Sequence, residues 1–416
     1  MTAEICALTD EESVEGAKRY VCGTHRVCTP EETLVRLQPL LSHMGVTRVA
    51  NVTGLDRLAI PVVMVVRPNA RSIAVSQGKG LTLAAAKASG VMEAAELWHA
   101  EHITKPLKLL SYEEMCREHR VADPDLLPRV EDRLAPGLPI PWIEGRDLVG
   151  GGSVWVPCGL VSADYRVSSS PGGGIFRGTT NGLASGNHPL EAICHGLCEV
   201  VERDASALWC LMGEARDSRG IDLSSITDPV CRSLLDQLAA ADVAVRVWDT
   251  TSDVGVASFC CLIAERSGDF ADPEYGSGCH PTREVALLRA LTEAAQSRLA
   301  FISGARDDLS VNAWNPSYRR RRLRAFGGLL DSSSSPSVDF HSVPSFTAPS
   351  LADDLEWLLG RLQAVGLDQV IAVDLDREEL GLPVVRIVVP GLEGPNDETS
   401  EYTPGERARR LLGVAP

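Results

Sequence analysis

The chain has 416 residues, a formal net charge of −16 and 44% apolar residues, of which few are aromatic, a composition typical of a globular protein with an aliphatic core. The negative charge argues against nonspecific binding to nucleic acid or to an anionic membrane, because both require a positive surface. The N-terminus has no basic start followed by an apolar run and no apolar stretch is long enough to span a membrane, so we expect a cytoplasmic protein.

In the first third of the chain, short strands precede a long helix. After a lead of residues 1–20, a helix begins at Thr29 or Pro30, with two glutamates in its first turn. The elements that follow are strands at 46–53 and 60–66, a polar loop at 76–80 and an alanine-rich helix from about Leu81.

A similar order recurs after an irregular, proline-rich stretch. The predicted elements are a strand at 153–161, a glycine-rich loop at 168–187 that leads into a helix, strands at 243–250 and 256–264, a loop at 276–280, a helix from Pro281 to about Ser303, and strands at 369–375 and 383–391. This mixture predicts an α+β fold with mixed or antiparallel sheets packed against helices, rather than a doubly wound parallel sheet.

We expect one composite domain of residues 21–416 after the lead. Its approximate subregions are 21–120, 150–305 and 348–416. Residues 326–347 are rich in serine and glycine, which predicts a flexible surface loop.

The helix that follows the glycine-rich loop has an acidic face. At about 100° per residue, Glu191, Glu199, Glu202 and Arg203 project away from its apolar stripe. An amphipathic surface helix produces the same pattern, because it buries the apolar stripe and exposes its charges to water. The helix alone therefore does not distinguish a functional face from a solvated one.

Three helices share one pattern of polar residues, with a polar residue at i, Glu at i+4, and Glu or Gln at i+7. The sets are Ser89, Glu93 and Glu96; His195, Glu199 and Glu202; and Arg289, Glu293 and Gln296. These spacings place each set on one helical face. We expect the three faces to converge, although an old duplication without functional constraint would leave a similar trace.

Converging carboxylates raise each other's pKa unless cations neutralise them. Their hard oxygen ligands favour Mg²⁺ or Ca²⁺, and Mg²⁺ commonly bridges carboxylates to substrate phosphates. Lys79, Arg203 and Arg289 are the cations expected beside phosphate oxygens, and glycine loops before the helices would add backbone N–H donors. The pattern predicts a nucleotide held through Mg²⁺, and the absence of GxxxxGK[ST] from the sequence excludes a P-loop.

These residues resemble the YcaO family. SxxxExxE at residues 89–96, NxxxExxxxxxxExxER at residues 187–203 and RxxxE at residues 289–293 match the three ATP-binding blocks of that family, and the likeness extends from about residue 20 to the C-terminus. The resemblance implies a YcaO-type α+β fold in which helices with ExxE motifs surround a central ATP and Mg²⁺ pocket. It also implies ATP-driven activation of a peptide backbone amide.

The resemblance also implies the roles of individual residues. The Mg²⁺ ligands would be Glu93, Glu96, Glu199, Glu202 and Glu293. The nucleotide contacts would be Arg26, Thr33, Ser89, Asn187, Glu191, Arg203 and Arg289, of which Arg26 and Thr33 replace the Lys and Ser usual in the family. No residue is singled out as the general base, because His188, His195 and His280 all lie near these motifs in sequence.

In YcaO proteins a nucleophile attacks the amide carbon, ATP phosphorylates the resulting oxyanion, and loss of phosphate gives an azoline, an amidine or a thioamide. The C-terminus lacks the PxPxP repeat of many azoline-forming members. The segments GTHRV, residues 52–80 and GARDD look most like stand-alone YcaO proteins that occur with TfuA-like partners, so thioamide formation is favoured over azoline or macrocyclic amidine formation.

The expected partners are a precursor peptide and a separate protein, TfuA-like or leader-peptide-binding, since the family-like sequence leaves no room for a fused leader-binding domain. Large apolar sheets also make a homodimer plausible. Two other classes stay open: a non-catalytic scaffold that binds nucleotide or peptide, and a structural protein stabilised by Ca²⁺ or Mg²⁺.

Overall fold

The computed structural model describes residues 16–128, 134–135, 137–166, 174–176, 178–266, 273–306, 315, 317, 337–394 and 402–413. Within these ranges the chain forms helices and antiparallel sheets, which confirms the predicted α+β fold with sheets packed against helices. In the same ranges, no helix combines the length and the apolar character that crossing a membrane requires.

The described helices are α1 (Pro30–Leu37), α2 (Leu83–Glu101), α3 (Tyr112–Glu118), α4 (Pro189–Leu211), α5 (Pro229–Ala240), α6 (Arg283–Ser303), α7 (Leu351–Gln363) and α8 (Glu406–Leu412). Helix α1 begins where the sequence predicts, because Thr29 and Glu32 form a capping box. The Thr29 hydroxyl accepts the Glu32 N–H at 3.2 Å, and the Glu32 carboxylate accepts the Thr29 N–H at 2.8 Å.

The described strands are β1 (Arg48–Asn51), β2 (Val62–Val66), β3 (Val75–Lys79), β4 (Leu107–Leu110), β5 (Ile140–Asp147), β6 (Ser153–Pro157), β7 (Leu183–Ser185), β8 (Val243–Asp249), β9 (Ser258–Glu265), β10 (Glu274–Cys279), β11 (Ile371–Asp374) and β12 (Val384–Val388). They form two three-stranded sheets, ordered β1-β2-β3 and β10-β9-β8. A six-stranded sheet has the order β4-β5-β11-β12-β7, with β6 paired to β5.

The two three-stranded sheets belong to a repeated unit. Unit 1 consists of β1, β2, β3 and α2, and unit 2 consists of β8, β9, β10 and α6. In each unit an antiparallel sheet leads directly into the long helix that packs on it, and corresponding residues differ in number by 200, as Gly78 and Gly278 do. The repeat inferred from the helices therefore includes the preceding sheets.

The prediction of loops at 76–80 and 276–280 was wrong, because these residues form most of β3 and the end of β10. Their glycines allow the helices to approach the strands. A Cβ at Gly78 would lie 2.0 Å from the Ala86 carbonyl oxygen, and a Cβ at Gly278 would lie 2.1 Å from that of Ala286. Glycine in a strand interior here marks close backbone packing.

Helix α4 also packs closely against the six-stranded sheet. A Cβ at Gly182, next to β7, would lie 2.8 Å from the Val200 side chain of α4, and a Cβ at Gly196 of α4 would lie 2.6 Å from the Ile387 side chain of β12. The apolar residues of α4, including Leu197 and Val201, are buried in the core that this contact forms. The opposite, acidic face of α4 is directed towards units 1 and 2.

Residues 337–347, the described part of the predicted flexible loop 326–347, are packed on unit 2 and not flexible in appearance. Residues 326–336 lie outside the described residues. Phe340 is fully buried against Phe259, with the ring centroids 5.7 Å apart, and Val338 bridges Ile221. Burial of Phe340 and Val343 in the core of unit 2 anchors this half despite the polar composition around it.

Candidate functional site

Helices α2, α4 and α6 surround a cavity of about 800 Å³. All twelve predicted site residues line it: Arg26, Thr33, Ser89, Glu93, Glu96, Asn187, Glu191, Glu199, Glu202, Arg203, Arg289 and Glu293. The acidic face of α4 therefore points into this cavity and not into bulk solvent. Glu191 and Glu202 are only 2% and 6% exposed, which contradicts the solvated-face interpretation for these two side chains.

The two glutamates of unit 1 accept hydrogen bonds from strand backbones. The Glu93 carboxylate accepts the Gln77 N–H of β3 at 3.4 Å. The Glu96 carboxylate accepts the backbone N–H of Ser185 in β7 at 2.8 Å and its hydroxyl at 2.6 Å. Glu96 thus links the helix of unit 1 to the six-stranded sheet, and both carboxylates are held by rigid elements.

The glutamate of unit 2 is held in the same way and carries an additional ion pair. Glu293 accepts the Ser277 N–H of β10 at 3.2 Å through one carboxylate oxygen. The Lys79 ammonium, from β3 of unit 1, donates to the other oxygen. The contact between the two units in the cavity is therefore partly electrostatic.

Burial raises the pKa of most of these carboxyl groups. It raises the pKa of Glu93 to about 7, that of Glu96 to about 8 and that of Glu199 to about 7, with neighbouring glutamates adding to the effect. Burial and Glu293 raise the pKa of Glu202. For Glu293 burial acts in the same direction, but Lys79 and Arg203 outweigh it and hold the pKa below its usual value.

A divalent cation would reverse the upward pKa shifts of Glu93, Glu96, Glu199 and Glu202, since it favours the ionised form of each ligand. The donor set fits Mg²⁺, which prefers hard carboxylate oxygens and commonly shares its coordination with phosphates. The set does not resemble a zinc site, where thiolate and imidazole ligands dominate.

A second group of predicted residues lies where the segment before α1 meets the start of α4. Glu191 accepts the backbone N–H groups of Val27 at 3.0 Å and Asn187 at 3.3 Å, and its carboxylate lies 3.6 Å from the Arg26 guanidinium. The Asn187 side-chain amide donates to the Thr33 hydroxyl at 2.9 Å. These contacts organise this part of the cavity wall, which Arg26 and Asn187 both line.

Three further predicted residues line the wall at helical positions near the carboxylates. Ser89 and Arg289 precede Glu93 and Glu293 by one turn, and Arg203 lies 4.0 Å from Glu202 across an ion pair. Burial opposes the charge of Arg203, but the surrounding glutamates raise its pKa further above the usual arginine value. The guanidinium therefore stays charged beside the acidic cluster.

Sequence reasoning missed several polar residues at this site. Gln77, Asn181 and Arg306 line the cavity, and Arg386 of β12 is buried beside it, where its guanidinium donates to the Thr179 carbonyl at 2.7 Å. Only the Arg386 position carried a signal in the sequence, as the one charged residue inside an apolar strand.

Some buried polar atoms at the site have no hydrogen-bond partner among the described residues. They are Gln77 Nε2, Asn181 Oδ1, Asn187 Oδ1, and Nε and Nη1 of Arg386. Because an unpaired buried polar group is costly, such a group indicates a ligand or ordered water. Their position at the cavity fits a polar ligand.

The three histidines considered as bases have different surroundings. His195 lines the cavity. His188 caps α4, because its Nδ1 accepts the Leu190 N–H at 3.2 Å. His280 Nδ1 accepts the Thr282 N–H at 3.0 Å. Only His195 is therefore both inside the cavity wall and free of a capping role.

His280 also belongs to a buried cluster with His25 and Asp354, in which the potential ligand atoms lie within 4.8 Å of one another. The Lys18 ammonium donates to Asp354 at 2.8 Å, and the Thr282 N–H uses the His280 Nδ1 lone pair. Two of the three groups are thus already engaged, so we interpret the cluster as structural.

The chain is similar to known proteins over the segments that carry these residues. A family model described as YcaO cyclodehydratase, ATP- and Mg²⁺-binding, matches residues 77–393. An uncharacterized protein in the tfuA 3′ region of Rhizobium leguminosarum bv. trifolii is 38% identical over 93% of this chain and 94% of its own length. An uncharacterized protein of Methanothermobacter thermautotrophicus is 37% identical over 88% of this chain and 94% of its own.

Two solved structures share the fold. YcaO from Methanopyrus kandleri, bound with AMPPCP and Mg²⁺, has a TM-score of 0.72 and 26% identity, covering 91% of this chain and 94% of that one. A heterocyclase in complex with substrate and cofactor has a TM-score of 0.76 and 24% identity, covering 92% of this chain and 54% of that one. At this identity the heterocyclase supports the fold alone.

Proposed function

The chain belongs to the YcaO family of ATP- and Mg²⁺-binding proteins, and from that membership we propose that it O-phosphorylates a backbone amide of a ribosomally made peptide, most specifically for thioamide formation. The observation that carries the proposal is the convergence of five glutamates from α2, α4 and α6 in one cavity. Basic side chains lie among these glutamates. The glutamates can therefore neutralise bound cations, and the basic side chains can neutralise a triphosphate.

We assign the ligand-binding roles from this arrangement. The Mg²⁺ ligands are Glu93, Glu96, Glu199, Glu202 and Glu293. The nucleotide contacts are Arg26, Thr33, Ser89, Asn187, Glu191, Arg203 and Arg289. Support comes from the shared cavity and from the unpaired Asn187 Oδ1.

The chemistry required is transfer of the γ-phosphoryl group to an amide oxygen. A nucleophile adds to the amide carbon, the amide oxygen takes the phosphoryl group, and phosphate leaves with that oxygen. Bound Mg²⁺ would neutralise charge on the phosphates. The protein's own contribution is to hold the carboxylates and guanidinium groups on rigid helices, since phosphoryl transfer depends mainly on positioning and electrostatic stabilisation.

The choice of thioamide over azoline or macrocyclic amidine rests on the Rhizobium relative in the tfuA 3′ region. We propose that an external sulfur species is the nucleophile and that a TfuA-like protein is a partner. The M. kandleri structure bound with AMPPCP and Mg²⁺ supports the nucleotide and metal assignment, but leaves the nucleophile open.

We also propose that residues 21–416 act as one composite domain, because segments from residue 20 to residue 306 line the same cavity and β12 supports it. Since the reaction consumes ATP, the proposed location is the cytoplasm. A homodimer is a further proposal, to be tested by sedimentation.

The proposal is tested by incubating the protein with ATP, Mg²⁺, a sulfur donor and a precursor peptide encoded near its gene. Peptide-dependent phosphate release is expected, together with the mass change for replacement of one oxygen by sulfur. Loss of one water instead would indicate cyclodehydration to an azoline or a macrocyclic amidine. Nucleotide binding without turnover would favour the scaffold, and metal binding without any thermal shift on adding nucleotide would favour a structural cation site.

The variant Glu202→Gln should abolish nucleotide hydrolysis, because Glu202 is a proposed Mg²⁺ ligand that interacts electrostatically with Glu199, Glu293 and Arg203 in the acidic cluster. The fold should be unchanged or more stable without Mg²⁺, since one repulsive charge is removed. Phosphate release and thermal unfolding measure the two effects.

The matched control is Glu356→Gln, which removes the same charge from an exposed position of α7 outside the cavity. Its turnover should equal that of the wild type. Turnover retained by Glu202→Gln would count against the assignment of the site.

A further inference from the structure

An ion pair between Lys79 and Glu293 joins units 1 and 2 inside the cavity. Lys79 is the last residue of β3, and its ammonium contacts the carboxylate of Glu293 on α6. Both side chains are recessed, with 21% and 24% exposure. In such a position an ion pair is screened less by solvent and salt than a pair on the open surface.

The ammonium and a divalent ion compete for the same carboxylate. One oxygen of Glu293 accepts the Ser277 N–H at 3.2 Å, and the other accepts from Lys79. The Ser277 amide is fixed in β10, which pairs with β9 along its length, whereas the lysine ammonium is on a flexible stem. A cation that binds Glu293 therefore displaces Lys79 more readily than the backbone amide.

The displaced ammonium would have few anionic partners left. Lys79 also opposes the burial that raises the pKa of Glu93 and Glu202, but both carboxylates belong to the same acidic cluster and would be neutralised by the same cation. Arg203 and Arg289 add positive charge to the same wall. A nucleotide phosphate supplies the missing negative charge, because lysine is a common phosphate ligand.

We infer that Lys79 couples the binding of metal and nucleotide: it opposes a divalent cation at Glu293 when the cavity holds no phosphate, and it binds a nucleotide phosphate when the cation is present. The inference rests on the proposed function, since it takes Glu293 as a metal ligand. Metal and nucleotide then bind cooperatively, and the coupling is the same from either side.

Substitution of Lys79 tests the coupling without any peptide or turnover. Mn²⁺ replaces Mg²⁺ as the probe, and electron paramagnetic resonance measures free Mn²⁺ in titrations of the protein alone and of the protein with AMPPCP. Association of Mn²⁺ with AMPPCP in solution is measured separately and subtracted in the fit.

In Lys79→Met the affinity for Mn²⁺ without nucleotide should rise roughly tenfold, and the enhancement of Mn²⁺ binding by AMPPCP should fall by a similar factor. Lys79→Gln is a second uncharged variant with a polar side chain, and circular dichroism confirms the fold of each. The matched control is Lys105→Met, which removes a lysine that pairs with Asp374 at 2.8 Å outside this cavity; its titrations should match the wild type.

The coupling would be overturned if both Lys79 variants kept the wild-type affinity for Mn²⁺ and the wild-type enhancement of Mn²⁺ binding by AMPPCP. This result differs from failure of the proposed function. If the proposed site were wrong, wild-type protein would not bind Mn²⁺ and AMPPCP, or would bind them as well after Glu202→Gln as before it. That second result would overturn the inference together with its premise.

Discussion

Units 1 and 2 have the same backbone plan and different charges. In both, a strand glycine allows the helix to approach, and a helix glutamate accepts a backbone N–H from sixteen residues earlier: Gln77 to Glu93 in unit 1, and Ser277 to Glu293 in unit 2. The glutamate position is thus set by the strand–helix packing itself, which explains how the repeat preserves a carboxylate at the same place in each unit.

The differences lie around this shared glutamate. Unit 1 has Lys79, Ser89 and Glu96, where unit 2 has Cys279, Arg289 and Gln296. Cys279 is fully buried in the core beneath α4, so of these two matching positions it is Lys79 that places a cation beside the cavity glutamate of the other unit. We infer that unit 1 mainly contributes metal ligands, whereas unit 2 combines one ligand with a phosphate-binding arginine.

The largest expected effect concerns what the units share. Gly78→Ala and Gly278→Ala should each lower the free energy of unfolding by about 3 kcal/mol or more, because the added Cβ overlaps a helix carbonyl that cannot move without displacing the helix. Chemical denaturation measures the change.

The control for these substitutions is Gly360→Ala in α7, where an added Cβ meets nothing within 4 Å. That variant should be neutral or slightly stabilising, because alanine favours the helix. If only one of the two strand glycines proved sensitive, the units would not be equivalent in packing.

A smaller effect tests where the units differ. Arg289→Ala should weaken ATP binding by roughly 1.5–3 kcal/mol, as expected for a charge-assisted hydrogen bond to phosphate. Ser89→Ala, at the matching position of unit 1, should cost only about 0.5–1.5 kcal/mol, because a neutral hydroxyl makes a weaker bond. Calorimetric titration with AMPPCP and Mg²⁺ compares the two variants. Equal losses would contradict the division of roles between the units.

Much of this architecture was predictable from local patterns. The positions of α1, α2, α4 and α6 and the α+β class followed from sequence patterns. The i, i+4 and i+7 spacing placed each polar set on one helical face whatever the fold, and the threefold recurrence of that spacing led us to expect that the faces converge. Thr29, Pro30 and the two glutamates of the first turn predicted the start of α1 for a similarly local reason.

The features that sequence reasoning missed depend on tertiary contact. Gly78 and Gly278 have the local appearance of turn residues, and only the helices packed on them reveal strand positions. Phe340 anchors a segment whose composition predicts mobility. Lys79 was predicted beside phosphate, but its pairing with Glu293, 214 residues away, could not be read from either unit alone.

The smallest expected effect uses pH to separate the two glutamates. Glu93 has its pKa raised by burial to about 7, from an ordinary value of 4.5, so the folded protein retains a proton there that the unfolded chain has lost. Its stability in EDTA should therefore fall as pH rises from about 4.5 to 7. Glu93→Gln should reduce this slope, with a change of roughly 1–2 kcal/mol.

Glu293 should behave in the opposite way, because Lys79 and Arg203 overcome burial and lower its pKa. Its contribution is present above pH 4.5 and is lost as pH falls through the folded-state pKa, so Glu293→Gln should leave the slope between pH 5 and 7 largely unchanged. Glu96 and Glu199, whose pKa values are also raised, keep part of that slope in both variants. Thermal unfolding from pH 4 to 8 measures stability against pH for each variant. Identical slopes for Glu93→Gln and Glu293→Gln would show that Lys79 does not make the two carboxylates titrate differently.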